Sequence, residues 1–86
     1  MKVINPFKEV FDGRINYIEY TTQPVMYKDY LVVYNPKGSY DVVRAGVCIA
    51  QRVTKQGAKG FIDLIYSEPN DYFVKRSLGY LTQWTK

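Results

Sequence analysis

Runs of apolar, β-prone residues predict β-strands along three stretches of the chain, although the first alternates imperfectly and would need a bulge near Tyr17. The stretches are 14–22 (RINYIEYTT), 30–35 (YLVVYN) and 61–66 (FIDLIY). The segment 36–39 (PKGS) has the residues of a turn, because proline fixes φ and glycine permits a positive φ. We therefore expect the chain to reverse there and to begin a new strand near Tyr40.

The longest β-branched run extends over 40–54, and it admits two interpretations. A single strand would place Val43, Ala45, Val47, Ile49 and Val53 on one face. A helix would begin at Ser39 and end at Gly57. Side chains that are stiff at χ1 favour the strand, and Gly46 inside a helix would cost about 1 kcal/mol. We favour the strand, followed by a loose basic hairpin turn over 55–60.

Helical signals flank these strands. A short N-terminal helix is predicted from Asn5 to Gly13, because asparagine caps helices and Pro6 suits the first helical position. A C-terminal helix is predicted to follow a cap at Asn70, with Asp71 at its positive end. Its apolar stripe comprises Phe73, Val74, Ser77, Leu78, Leu81 and Trp84, and Lys75, Arg76, Thr82 and Gln83 lie opposite.

These elements predict a single α+β domain over residues 1–86. Its core is about four antiparallel strands in a curved meander or half-barrel, with a short N-terminal helix and a C-terminal helix packed against it. Apolar residues make up 47% of the chain, which is enough to build a core and argues against disorder.

The composition bears on the compartment and on the chemistry. One cysteine cannot form an internal disulfide, and no stretch reads as a signal peptide or a membrane span, so we expect a cytoplasmic protein without a membrane partner. The chain has no histidine and no glycine-rich nucleotide loop, so the sequence predicts no metal site and no cofactor. We therefore expect a protein that is not an enzyme and has no catalytic residues.

The positive charge is confined to one half of the chain. The net charge is +4, and residues 1–43 carry five bases and five acids, so the excess lies in residues 44–86. No acid occurs between Asp41 and Asp63, where four of the bases fall. A local positive field attracts phosphates or acidic proteins.

Aromatic and basic side chains would share the outward face of the predicted sheet. Aromatic rings stack on bases while cations neutralise phosphates, and single-strand binders combine both features. The predicted nucleic-acid-binding residues are Tyr30, Tyr34, Tyr40, Arg44, Arg52, Lys55 and Lys59, with Phe61 on the same face. The competing interpretation is that the tyrosines pack at the rim of the core.

Cys48 would also point outward in the strand interpretation, beside Arg44 and Arg52, where cations lower a thiol pKa. The alternative is a small buried hydrophobe.

The sequence thus predicts a small non-enzymatic binding module that binds nucleic acid through a basic, aromatic strand face and turn. The alternative is a protein–protein adaptor or inhibitor that binds an acidic partner, because tyrosine and arginine dominate protein interfaces.

Overall fold

The computed structural model describes residues 1–8 and 12–85. Within these residues, one mixed sheet of six strands carries two helices, which confirms the α+β class. The strands are β1 (Lys2–Ile4), β2 (Tyr17–Glu19), β3 (Val25–Tyr27), β4 (Tyr30–Asn35), β5 (Ser39–Arg44) and β6 (Val47–Arg52). The helices are α1 (Lys55–Ser67) and α2 (Tyr72–Trp84). Neither of these helices is long and apolar enough to cross a membrane.

The strand order is β2-β1-β6-β5-β4-β3. Strands β3 to β6 form an antiparallel meander, while β1 joins it by a parallel pairing of Ile4 with Val47. The predicted number of about four strands is therefore too small. The run 40–54 forms two strands and 61–66 forms none, so the remaining difference arises from β1 and β3, which are only three residues long and too short to show a period of two.

The hairpin of β4 and β5 follows the alternation and turn chemistry of the sequence, but the single strand over 40–54 is wrong. The chain reverses at Ala45 and Gly46, which have φ values of 53° and 77°. Two successive residues with positive φ make a type I′ turn, whose twist matches that of the flanking strands. Gly46 therefore marks a reversal of the chain and not a bend within one strand.

The predicted turn over 55–60 and the predicted strand over 61–66 are also wrong, because both segments belong to α1. The Thr54 side chain caps this helix by accepting a hydrogen bond from the Gly57 backbone N–H at 2.9 Å. Its buried residues recur at helical spacing and pack on the sheet: Ala58, Phe61, Ile62 and Ile65. Tertiary packing overrides the cost of the two glycines in the helix.

The N-terminal helix does not form where it was expected to begin. Residues 2–4 are strand β1, and residues 5–8 form a turn in which the Asn5 side chain accepts from the Phe7 N–H at 3.1 Å. Asparagine here closes a local turn instead of capping a helix. The predicted helical positions Val10 and Phe11 lie outside the described residues.

The C-terminal helix is confirmed as α2, with one change at its start. Asp71, not Asn70, is the capping residue, and its carboxylate accepts from the backbone N–H groups of Phe73 and Val74. Of the predicted apolar stripe, Val74 and Ser77 are buried, whereas Phe73 is 59% exposed.

Both helices cover one side of the sheet, which we call the helix face. A bulge between Val42 and Val43 shifts the pairing with β6, so that Ile49 and Ala50 both point to this side. The predicted alternation is wrong at Val43, which points to the other side, and at Val53, which follows β6 and is 83% exposed.

The opposite side, which we call the connector face, is covered in part by Tyr20, at the start of the segment 20–24 that joins β2 to β3. These strands are the two edges of the sheet, so the segment must cross all the others. A flat sheet of six strands is about 24 Å wide, but the six steps from Glu19 to Val25 reach at most about 22 Å. The sheet therefore cannot lie flat, and it curves around this face.

Candidate functional site

Three of the predicted site residues form a row across the helix face. Tyr34 pairs with Tyr40, and Tyr40 pairs with Arg52, so the row runs across β4, β5 and β6 at one end of the sheet. The rings of the two tyrosines are 5.3 Å apart, and Tyr34 is 40% exposed. This row places the partly exposed ring of Tyr34 two strands from the cation of Arg52, with Tyr40 between them.

Two other predicted residues, Tyr30 and Arg44, lie at the opposite end of the same strands. Tyr30 is only 3% exposed, and its ring contacts the ring of Tyr66 of α1 at 6.3 Å. The Arg44 guanidinium lies 5.0 Å from the Tyr30 ring centre. Tyr30 therefore belongs to the packing under α1, where its ring is shielded from solvent.

The two predicted lysines are on α1 instead of on a hairpin turn. Lys55 is the first residue of the helix and is exposed, while Lys59 lies one turn later. The Lys59 ammonium is 5.5 Å from the ring centre of Tyr27 on the edge strand β3. These cations therefore follow the flank of α1 instead of extending the turn of a hairpin. Phe61, the associated aromatic residue, is buried beneath Arg52.

Near Tyr30, polar contacts fasten the end of α1 to the β3–β4 turn. Asp63 of α1 accepts a hydrogen bond from the Tyr27 hydroxyl at 2.8 Å and pairs with Lys28 at 2.6 Å. Hydrogen bonds from Lys28 and Tyr27 lower the pKa of Asp63. The Tyr66 hydroxyl donates to Asp29 at 2.8 Å. At this end of the sheet, the carboxylates of Asp63 and Asp29 are therefore already paired with Lys28 and with tyrosine hydroxyls.

The other end holds a cleft of about 260 Å³ between β6 and α2, with Phe7 on its border. Its functional side chains comprise two arginines and three aromatic residues: Arg52, Arg76, Phe7, Phe73 and Tyr80. We call it the Arg52–Arg76 cleft. No acidic residue is among its described lining residues.

Each arginine is held in place by an aromatic side chain. The Arg52 guanidinium lies 4.5 Å from the ring centre of Phe61 and donates to the Gln51 carbonyl at 2.8 Å. The Arg76 Nε–H donates to the Tyr80 hydroxyl at 2.9 Å, and this hydrogen bond raises the pKa of Arg76. A guanidinium has five N–H donors, so both side chains retain donors for an anionic ligand.

Asp71 is the acid nearest to Arg76 in sequence, and its carboxylate is used to cap the start of α2. Its carboxylate accepts from the N–H groups of Phe73 and Val74, at 2.9 and 3.3 Å. The only ion pair among the described residues is that between Lys28 and Asp63, at the fastened end. Neither arginine of the cleft therefore has a carboxylate partner within the described part of the chain.

Arg76, Phe73 and Tyr80 were not predicted as site residues, although their spacing contains a signal. Positions 73, 76, 77 and 80 recur at the helical intervals i, i+3, i+4 and i+7, so they share one side of α2. Phe73 was instead predicted to pack against the sheet, as part of the apolar stripe of the helix. These residues border a cleft only because Arg52 of β6 lies beside this side of α2.

The hypothesis of a reactive Cys48 is wrong. Its thiol is buried on the connector face, whereas the two arginines considered beside it are on the helix face. Burial raises the pKa of Cys48 to about 12. Among residues 1–8 and 12–85, no cluster of three histidine, cysteine or acidic side chains forms a metal site.

Comparisons with protein-family models, with curated proteins and with solved structures find no significant match to this chain.

Proposed function

We propose that this protein is a non-enzymatic module that binds nucleic acid through the Arg52–Arg76 cleft. The observation that supports this proposal is a pair of arginines without carboxylate partners among the described residues, set beside an exposed aromatic ring. Arginine recognises phosphate with paired N–H donors, and aromatic rings accept stacked bases.

The proposal keeps part of the sequence-based site and replaces the rest. Arg52, Tyr34 and Tyr40 stay in it, because their cross-strand row continues from the cleft along the end of the sheet. Neighbouring strands are about 4.8 Å apart, so Tyr34 lies roughly 10 Å from Arg52, within the span of a short nucleic-acid segment. Lys55 remains a candidate phosphate contact at the start of α1.

Two arginines in matched surroundings provide the test. Arg44 and Arg52 are both on the helix face and both lie over an aromatic ring, but only Arg52 lines the cleft. We expect R52Q to weaken the binding of a fluorescent oligonucleotide in an anisotropy titration, and R44Q to weaken it less. Binding by the unmodified protein should decrease as salt rises, because phosphate contacts release counterions.

Two outcomes of these titrations would contradict the proposal, one for the function and one for its location. Absence of binding at low salt contradicts the proposed function. An equal loss in R44Q and R52Q contradicts the cleft as its location and indicates attraction by net charge alone. Thermal unfolding of both variants should be measured alongside, since each arginine covers a ring of the core cluster.

An acidic partner protein is the competing function. The observation in its favour is the exposure of Tyr72 and Phe73, which are 69% and 59% exposed at the start of α2. Exposed aromatics beside arginine are typical of protein interfaces. A stoichiometric protein complex that survives nuclease, combined with no oligonucleotide binding, would favour this function over the first.

A further inference from the structure

The ring of Phe73 is exposed without a packing role that explains it. It is 59% exposed on the second residue of α2, and its ring contact within the described residues is with Tyr72, itself exposed, at 5.3 Å. The Asp71 cap fixes the backbone of Phe73. An exposed aromatic ring that borders a cleft is suited to stacking against a planar group.

The arginines of the cleft are arranged before any ligand arrives. Arg52 is stacked on Phe61, and Arg76 is hydrogen-bonded to Tyr80, whose ring contacts Phe7 at 5.3 Å. Side chains that are already ordered lose less conformational entropy when they bind. The two guanidinium groups thus line the cleft from β6 and from α2 as donors for an anion, and Phe73 presents a ring at the same cleft.

The size of the cleft limits what it accepts. Its volume is about 260 Å³, close to the lower limit of roughly 300 Å³ for pockets that hold a small molecule. It therefore suits a group the size of one nucleotide and not the width of a double helix. In a duplex the bases are stacked on one another, so their faces are not available to Phe73.

We infer that the Arg52–Arg76 cleft is a seat for one nucleotide of a single strand, with its base on Phe73 and its phosphate on the two arginines. This inference rests on the proposed function, and it adds the preference for single-stranded over double-stranded nucleic acid. Stacking and phosphate contacts do not distinguish the four bases, so the seat tolerates different sequences.

Two neighbouring pairs on α2 provide matched variants for the test. Phe73 and Arg76 line the cleft, whereas Tyr72 and Lys75 are adjacent exposed residues that do not. We would titrate F73L, Y72L, R76Q and K75Q with a labelled oligo(dT) of about 10 nucleotides, and with a hairpin duplex of equal charge. All four substituted side chains are exposed, so we expect thermal unfolding to report folded variants.

We expect the unmodified protein to bind the single strand more tightly than the duplex. F73L should weaken single-strand binding by about tenfold, a loss within the range measured for base stacking, and Y72L should weaken it much less, because Tyr72 does not line the cleft. R76Q should reduce the slope of log affinity against log salt by about 0.7, the value for one phosphate contact on a single strand. K75Q should leave that slope unchanged.

Equal affinity for both oligonucleotides, or equal effects of F73L and Y72L, would overturn the nucleotide seat. In those cases the protein still binds nucleic acid, so the proposed function would stand on phosphate contacts alone. Binding to neither oligonucleotide at low salt would overturn both. An R76Q variant with the same salt dependence as the unmodified protein would remove Arg76 from the seat.

Discussion

The helix face and the connector face of the sheet each bury an apolar cluster, but among the described residues only the connector face also holds a buried carboxylate. Hydrocarbon from two 13-residue helices covers the helix face, where Ile62 and Val74 are fully buried. Tyr20, at the start of the link between β2 and β3, helps to close the connector face, which also contains the fully buried carboxylate of Asp41.

Asp41 is satisfied by donors from four parts of the chain. Tyr20 donates its hydroxyl proton at 2.5 Å and Ser39 at 2.6 Å, while the side-chain amides of Asn35 and Gln51 donate at 3.1 and 3.2 Å. No buried polar side-chain atom of the described residues lacks a partner. A polar network of this kind requires every member, whereas apolar packing tolerates small adjustments.

The difference indicates a division of roles between the faces. The connector face fixes the alignment of β4, β5 and β6, because one carboxylate must meet donors from each of them. The helix face has no such polar centre within the described residues, and its two helices leave a cleft between α2 and β6. Changes on the connector face should therefore act on folding, while changes around the cleft should act on binding.

The largest effect is expected from D41A, which removes the shared acceptor. Tyr20 and Asn35 are buried and would lose their partner, so we expect a loss of about 4 kcal/mol in the free energy of unfolding. Urea denaturation measures this loss. The matched control is D63A, because Asp63 also accepts from a tyrosine but its side chain is 49% exposed. We expect less than about 1 kcal/mol for it.

A similar loss of stability in D41A and D63A would contradict the proposed difference between the two faces. It would mean that the buried network contributes no more than an exposed ion pair.

Alkaline pH should weaken the connector face next. Burial, then the negative charge of Asp41, raises the pKa of Cys48 to about 12 from an ordinary value of 9.0. Burial also raises the pKa of Tyr20 above its ordinary 10.0. The unfolded chain therefore releases these protons at a lower pH than the folded chain. Each group should lower stability by up to about 1.4 kcal/mol per pH unit in that interval.

The contribution of Cys48 to the free energy of unfolding is thus complete below pH 9 and is lost as pH approaches 12. Denaturation midpoints at a series of pH values measure the decline. C48A should show a shallower decline than the unmodified protein between pH 9 and 10, before Tyr20 titrates in the unfolded chain. Parallel curves for the two proteins would show that the thiol does not contribute.

Local patterns explain which parts of this fold could be predicted from sequence. Alternation and turn residues within ten positions determine β4 and its hairpin to β5, and helical spacing determines α2. The segment FIDLIY alternates like a strand, and only the cap at Thr54 and the buried Ala58 show that it continues a helix.

The parts that were missed depend on residues distant in sequence. Asp41 has no local signal of burial, because two of its donors come from positions 20 and 51. The cleft combines Arg52 from β6 with Arg76 from α2, a pairing that no spacing along the chain reveals. Sequence therefore predicted Arg52 as a site residue but not the partner that gives it a binding geometry.

The smallest effect, and the finest test of the two kinds of contact, comes from removing single hydroxyl groups. Y20F and Y27F each delete one donor to a carboxylate and keep the ring. Asp41 is buried and cannot recruit water, so Y20F should cost about 2 kcal/mol, the value for a hydrogen bond to a charged group. Asp63 is solvated and keeps Lys28, so Y27F should cost less than about 0.5 kcal/mol.

Urea denaturation of both variants, combined with D41A in a double-mutant cycle, separates the hydroxyl from the rest of the network. If Tyr20 acts through Asp41, then Y20F should cost little in a D41A background, because its partner is already absent. If Y20F costs as much there as in the unmodified protein, then Tyr20 stabilises the connector face by covering it with its ring. In that case hydrocarbon would close both faces of the sheet, and the carboxylate would serve only the alignment of the strands.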